Sequence, residues 1–159
     1  MPISIGSTNV KPYVGNKEVK EAYVGSTLVY SAGPGSNYAF LGTADGYYLA
    51  DWCTYKNAVI EQENGIYKMR LNPTKSGRGQ ISLDISGQNK YTILKFTGKC
   101  SGGDSLVLKM SVDGGTAQNI TLTNKEKEFS VAVKANAQSI VIENNSISYF
   151  ALLNNIYLE

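Results

Sequence analysis

Histidine does not occur in the 159 residues. Its absence removes zinc fingers, imidazole-based metal centres and every catalytic scheme that uses histidine as the base. Cysteine is scarce as well: Cys53 and Cys100 stand far apart, with no CxxC spacing. Two thiols packed as small apolar groups are expected, a Cys53–Cys100 disulfide being the alternative. No apolar run reaches the roughly 18 residues of a transmembrane helix, so membrane insertion is not expected. Charged residues make up 18% and the net charge is +2, with lysine and arginine dispersed. The densest stretch, Lys125-Glu126-Lys127-Glu128, is charge-balanced and reads as a solvated turn. Neither nucleic acid nor an anionic membrane is therefore an expected partner. The start, Met1-Pro2-Ile3-Ser4-Ile5-Gly6, has no basic region and no hydrophobic segment, so no secretory signal is visible. Either a signal has been trimmed, or the chain is made in the cytoplasm and reaches its work by another route.

Catalytic motifs are missing too. The acids Asp45, Asp51, Glu61, Glu63, Asp84, Asp104 and Asp113 form no recognisable pair, although a glycosidase can use two carboxylates distant in sequence. There is no Gly-x-Ser-x-Gly, no P-loop and no Rossmann fingerprint. Gly33-Pro34-Gly35 and Gly77-Arg78-Gly79 are too short and too poorly placed for phosphate loops. The expectation is a protein that binds rather than catalyses and needs no cofactor, with a glycan-active enzyme as the remote alternative.

What the chain does contain is tyrosine, 11 residues against 4 phenylalanines and 1 tryptophan. Tyrosine suits half-buried strands and also contact surfaces, offering a flat apolar ring with a polar tip. Residues 5–30 hold a repeat: Ile5-Gly6-Ser7-Thr8-Asn9-Val10, then Val14-Gly15-Asn16-Lys17-Glu18-Val19, then Val24-Gly25-Ser26-Thr27-Leu28-Val29. Each copy reads as a tight hairpin, a β-branched strand end followed by glycine and a return strand starting at valine. Units of this size bury little alone, so residues 1–32 are expected to attach to something or to oligomerise. Coincidental short strands of the main domain are the alternative.

Ser31-Ala32-Gly33-Pro34-Gly35-Ser36-Asn37 reads as a linker, with residues 33–37 separating the repeat from a domain over 38–159. Beyond it the apolar residues alternate with polar ones. Ile81, Leu83 and Ile85 oppose Ser82, Asp84 and Ser86, and Leu106, Leu108, Met110 and Val112 oppose Lys109, Ser111 and Asp113. Leu94 and Phe96, Ile120 and Leu122, Phe129 to Val133, and Ile140 with Ile142 continue the scheme. The last strand, Tyr149 to Leu158, is expected to put Phe150, Leu152, Ile156 and Leu158 on one side. Asn57–Gln62 is the one weak candidate for a helix. The fold class predicted is all-β, an antiparallel β-sandwich preceded by a small β-hairpin repeat segment.

Two resemblances attach to these segments. Ala22-Tyr23-Val24-Gly25-Ser26-Thr27-Leu28-Val29-Tyr30 resembles short repeats near the ends of bacteriophage and prophage tail proteins. That resemblance implies a virion or extracellular surface assembly, with other virion proteins or a second copy as partners of residues 1–32. Residues 38–159, closing on Ala151-Leu152-Leu153-Asn154-Asn155-Ile156-Tyr157-Leu158, resemble jelly-roll carbohydrate-binding modules and their galactose-binding-like relatives. Many such modules carry a structural calcium near the chain ends; no compact acidic group here clearly reproduces it, and calcium stays open.

For a ligand, Gly46 to Tyr55 offers four aromatics, including Trp52. Sugar recognition combines an aromatic platform with a few orienting polar groups. Tyr48, Trp52 and Tyr55 with Asp51 fit that description, and Arg78 on its glycine-flanked loop could add a bidentate donor. Trp52 as a core residue and Arg78 as an ordinary surface cation are the bland alternatives. The expected partner is a cell-surface glycan; the alternative is a structural virion or surface-assembly protein without a small ligand.

Overall fold

The structure is a computed structural model; it describes residues 37–88 and 90–159, together with strand backbone at 13–14, 17–18, 21–24 and 27–31. The first repeat copy, 5–10, and the linker residues 33–36 lie outside the described residues. The chain divides into two compact units, Met1–Gly35 and Ser36–Glu159.

In the first unit, β1 (Tyr13–Val14) pairs with β2 (Lys17–Glu18), and β3 (Glu21–Val24) with β4 (Thr27–Ser31). The registers Val14↔Lys17 and Val24↔Thr27 pair the described residues of the second and of the third repeat copy with each other, antiparallel. The return strands begin at Lys17 and Thr27, before the valines expected to start them.

The second unit is an antiparallel sandwich. Its five-stranded sheet runs β13 (Gln118–Thr123), β12 (Ser105–Val112), β15 (Ser139–Asn144), β10 (Gln80–Asp84), β7 (Cys53–Lys56). Opposite it lie β14 (Lys127–Ala132), β11 (Ile93–Ser101) and β16 (Phe150–Leu158). The free edge of β16 is shared: Ala151–Leu153 pair with β9 (Ile66–Leu71), and Ile156–Tyr157 with β5 (Tyr38–Gly42). Then β8 (Ala58–Glu63) flanks β9, and β6 (Tyr47–Leu49) flanks β5.

The expected alternation is realised in β10, β11, β12, β13 and β15. Ile81, Leu83, Leu94, Phe96, Leu108, Met110, Leu122, Ile140 and Ile142 are all buried between the sheets. Fully burying such a side chain contributes about 1.5–3 kcal/mol each. Cys53 and Cys100 are buried, unpaired thiols, and burial pushes Cys53 up to about 12.

Two expectations are corrected. Asn57–Gln62 is not helical: Ala58–Glu63 is strand β8, joined to β9 by the two-residue turn Asn64-Gly65. Both turn residues have positive φ, 51° and 79°, the geometry that matches hairpin twist and favours Asn-Gly. Nor does β16 keep one parity. Between Thr97↔Asn154 and Lys95↔Tyr157 it carries one residue more than β11, a bulge with Asn155 at φ 52°. Ala151 and Leu153 therefore face the core before it, Ile156 and Leu158 after it, while Phe150 and Leu152 point to the opposite side. Asn154 bridges the break: Gly42 N donates to its Oδ1 at 2.7 Å, and its Nδ2 donates to Gly42 O at 3.1 Å.

Candidate functional site

The aromatic stretch read from the sequence lies where the chain passes from one sheet to the other. Tyr48 sits on β6, and Tyr55 on the edge strand β7. Asp51 and Trp52 form the tight turn between them, closed by Cys53 N donating to Ala50 O at 3.0 Å. Tyr48 and Trp52 are half-buried against the core, Asp51 is exposed, and Tyr55 is 41% exposed. Trp52 O accepts from Asp84 N at 2.8 Å, tying this turn to the end of β10. Arg78 is at the other end of that strand pair, in the loop entering β10, so the fold does not bring it to Trp52. Asn57 Nδ2 donates to Arg78 O at 3.2 Å, and the Arg78 guanidinium reaches Glu143 at 3.7 Å.

Arg78 instead borders a broad face. Because buried residues alternate with outward ones, the five-stranded sheet presents a second set of side chains to solvent. Register defines its rows. Lys56, Gln80, Glu143, Lys109 and Asn119 stand side by side across β7, β10, β15, β12 and β13. Beside them run Thr54, Ser82, Val141 and Ser111. The first row spans roughly 19 Å, four interstrand spacings of about 4.8 Å. Within the face, Gln80 Nε2 donates to Ser82 Oγ at 2.8 Å, and Thr54 Oγ1 donates to Ser82 O at 3.5 Å. This is a shallow sheet surface rich in hydroxyl, amide and ammonium groups. It can take a polyhydroxylated chain lying along it, each hydroxyl offering both a donor and an acceptor.

The outward face of the other sheet is spent on itself. Lys68, only 7% exposed, pairs with Glu63 at 3.0 Å and with Glu126, and Lys99 meets Glu63 at 2.6 Å. Burial works against the Lys68 charge, yet the carboxylates of Glu126 and Glu63 outweigh it and raise its pKa. Burial likewise opposes the Glu63 charge, and Lys99 and Lys68 overcome it, lowering its pKa. Arg70 meets Glu61 at 3.0 Å and lies 4.5 Å from the Phe150 ring centre. Tyr38 and Tyr157 stack on each other at 5.0 Å.

A shallow open groove of about 400 Å³ lies between Ser105–Val107 and Asn145–Tyr149, with Ile147 and Tyr149 exposed. Among the described residues no three Cys, Asp or Glu side chains gather as a metal ion would require.

The row residues were present in the sequence as the polar halves of alternating strands, Ser82, Lys109 and Ser111 among them. Alternation shows that they face solvent; it does not show which strands are neighbours, and therefore not that Lys56, Gln80, Glu143 and Lys109 share a line.

No protein-family model matches the chain, and no curated protein sequence does. Solved structures match in fold. A variant of a family 29 carbohydrate-binding module, studied for its mechanism of ligand recognition, superposes with a TM-score of 0.55 at 16% identity, over 76% of this chain and 89% of that one. Another variant of this module, complexed with cellulohexaose, gives 0.53 at 14% identity, over 76% and 87%. A family 29 module from Piromyces equi gives 0.50 at 16% identity, over 76% and 86%. At these identities the likeness establishes the β-sandwich fold.

Proposed function

We propose that the chain is a non-catalytic glycan-binding module, and that its ligand lies on the outward face of the five-stranded sheet. The observation that carries this reading is the row Lys56–Gln80–Glu143–Lys109–Asn119 with its neighbour Thr54–Ser82–Val141–Ser111. It is a largely polar surface, whereas on the opposite face Lys68, Arg70, Lys95 and Lys99 are already paired with carboxylates. The shared fold of the carbohydrate-binding modules supports it. Arg78 borders the face and belongs to the proposal; Tyr55, in register with the buried Ile81, lies on the core side of the edge strand β7 and is not part of it. Tyr48, Asp51 and Trp52 form a flank at the far end of β7, where the exposed Asp51 is free to meet a long ligand. The virion setting, with residues 1–32 attaching to other proteins or to a second copy, rests on the resemblance of residues 22–30; the fold comparisons bear on the sandwich alone.

A glycan array probed with the full chain tests this. Retention of one glycan class, abolished by Ser82→Trp with thermal stability unchanged, is the expected outcome. Retention that survives a bulky ring in the middle of the rows would place the site elsewhere. A second reading, a spacer without a ligand, is favoured by one observation: Tyr48 and Trp52 lean on the core rather than standing free as a platform. An array with no retained glycan would support it.

A further inference from the structure

The two outward faces treat positive charge differently. On the larger sheet Lys68, Arg70, Lys95 and Lys99 each have a carboxylate partner. On the five-stranded sheet Lys56 and Lys109 have none among the described residues. The contrast is sharpest at Lys109. Glu143 stands directly opposite it in register, where Cβ atoms lie about 5 Å apart. Yet the Glu143 carboxylate turns to Arg78. Asp84, the outward acid of β10, is at the far end of its strand, accepting from the hydroxyl and N–H of Ser86. Asp113, at the end of β12, is held by Lys134. The face keeps two uncompensated ammonium groups, three strand spacings apart in one row.

It also lacks rings. The outward positions of the five strands are Thr, Lys, Gln, Ser, Asp, Val, Glu and Asn, with no aromatic among them. Stacking on aromatic faces is a main source of affinity for uncharged sugars. Without it, charge-assisted hydrogen bonds become the strong contacts available. A lysine ammonium is a point charge with three donors, suited to a carboxylate or sulfate that need not be held in one fixed plane.

Building on the glycan-binding reading above, we propose that the ligand of this face is an acidic polysaccharide, its anionic groups taken by Lys56 and Lys109 while Gln80, Ser82 and Ser111 meet the hydroxyls between them.

The full chain is titrated calorimetrically with oligogalacturonate, a sulfated oligosaccharide and cellohexaose. The carboxylated probe, the sulfated probe or both should bind at least about tenfold more tightly than cellohexaose, weakening by about tenfold between roughly 0.05 and 0.5 M salt. Which acidic probe binds identifies the anionic group. Lys56→Gln with Lys109→Gln should abolish that preference, whereas Lys127→Gln, an unpaired lysine on the other sheet, should leave it intact. Equal losses from both changes would mean diffuse attraction and overturn the proposal. Cellohexaose binding as tightly, without salt dependence, would overturn it and leave the glycan-binding reading standing. No binding by any probe would sink that reading as well.

Discussion

Asn144 shows how much one side chain can organise. It is fully buried; its Nδ2 donates to Leu71 O at 3.1 Å and Tyr149 O at 2.8 Å, and its Oδ1 accepts from Ser146 N at 2.9 Å. It thereby ties β15 to β9 of the opposite sheet and holds the 145–149 loop. Replacing it with alanine leaves buried backbone groups unpaired, and should cost about 2–3 kcal/mol in urea denaturation, with an unchanged slope. Asp113 acts at the surface. Its Oδ1 accepts from the N–H of Gln138 and Ser139, and Oδ2 meets Lys134 at 2.8 Å. The Lys134 bond first, then those two N–H groups, hold its pKa down at about 2, below the ordinary 3.8. A depressed pKa stabilises above the ordinary value and is lost as pH falls through the folded one. Wild type should therefore exceed Asp113→Asn in stability at neutral pH, with the gap closing between about pH 4 and pH 2, measured by denaturation across that range. Trp52→Ala should lower stability by about 2 kcal/mol or more, since its ring packs on the core. At this scale the sequence was partly legible. The outward Ser82 and Lys109 could be read from alternation, but the roles of Asn144 and Asp113 depend on partners distant along the chain, such as Leu71 and Gln138.

Strands were readable wherever one face is buried and the other wet, as in β10, β12 and β15. Reading failed at β8, where Ala58 to Glu63 mixes apolar and acidic residues without clean alternation; Asn64-Gly65 was the available signal. At β16 it failed because Asn155 resets the period, and a bulge leaves no mark in an alternation count. These elements make their own predictions. Asn155→Val forces a β-branched residue to φ 52° and should cost about 1–3 kcal/mol. Asn155→Gly should be tolerated. Thermal melts of the two variants decide it: equal melting temperatures would mean that the bulge does not need its left-handed residue.

For the whole molecule, the sandwich sorts its outward chemistry by sheet. One face closes a chain of ion pairs, Glu126–Lys68–Glu63–Lys99, across three strands and the turn before β14. The other leaves its polar groups open in straight rows. That asymmetry was hidden from the sequence, because both sheets are made of similar alternating strands, and only pairing separates them. The candidate site therefore shifted from a run of rings to a plane, keeping only Arg78 at its margin, since Tyr55 shares the parity of the buried Cys53. Backbone amide shifts of the full chain, recorded while oligogalacturonate and cellohexaose are added in turn, report on this plane directly. Shifts should move at Lys56, Gln80, Ser82, Lys109 and Val141 with at least one sugar. Movement confined to the Tyr38–Tyr157 face or the 145–149 groove, or none with either sugar, would contradict the assignment.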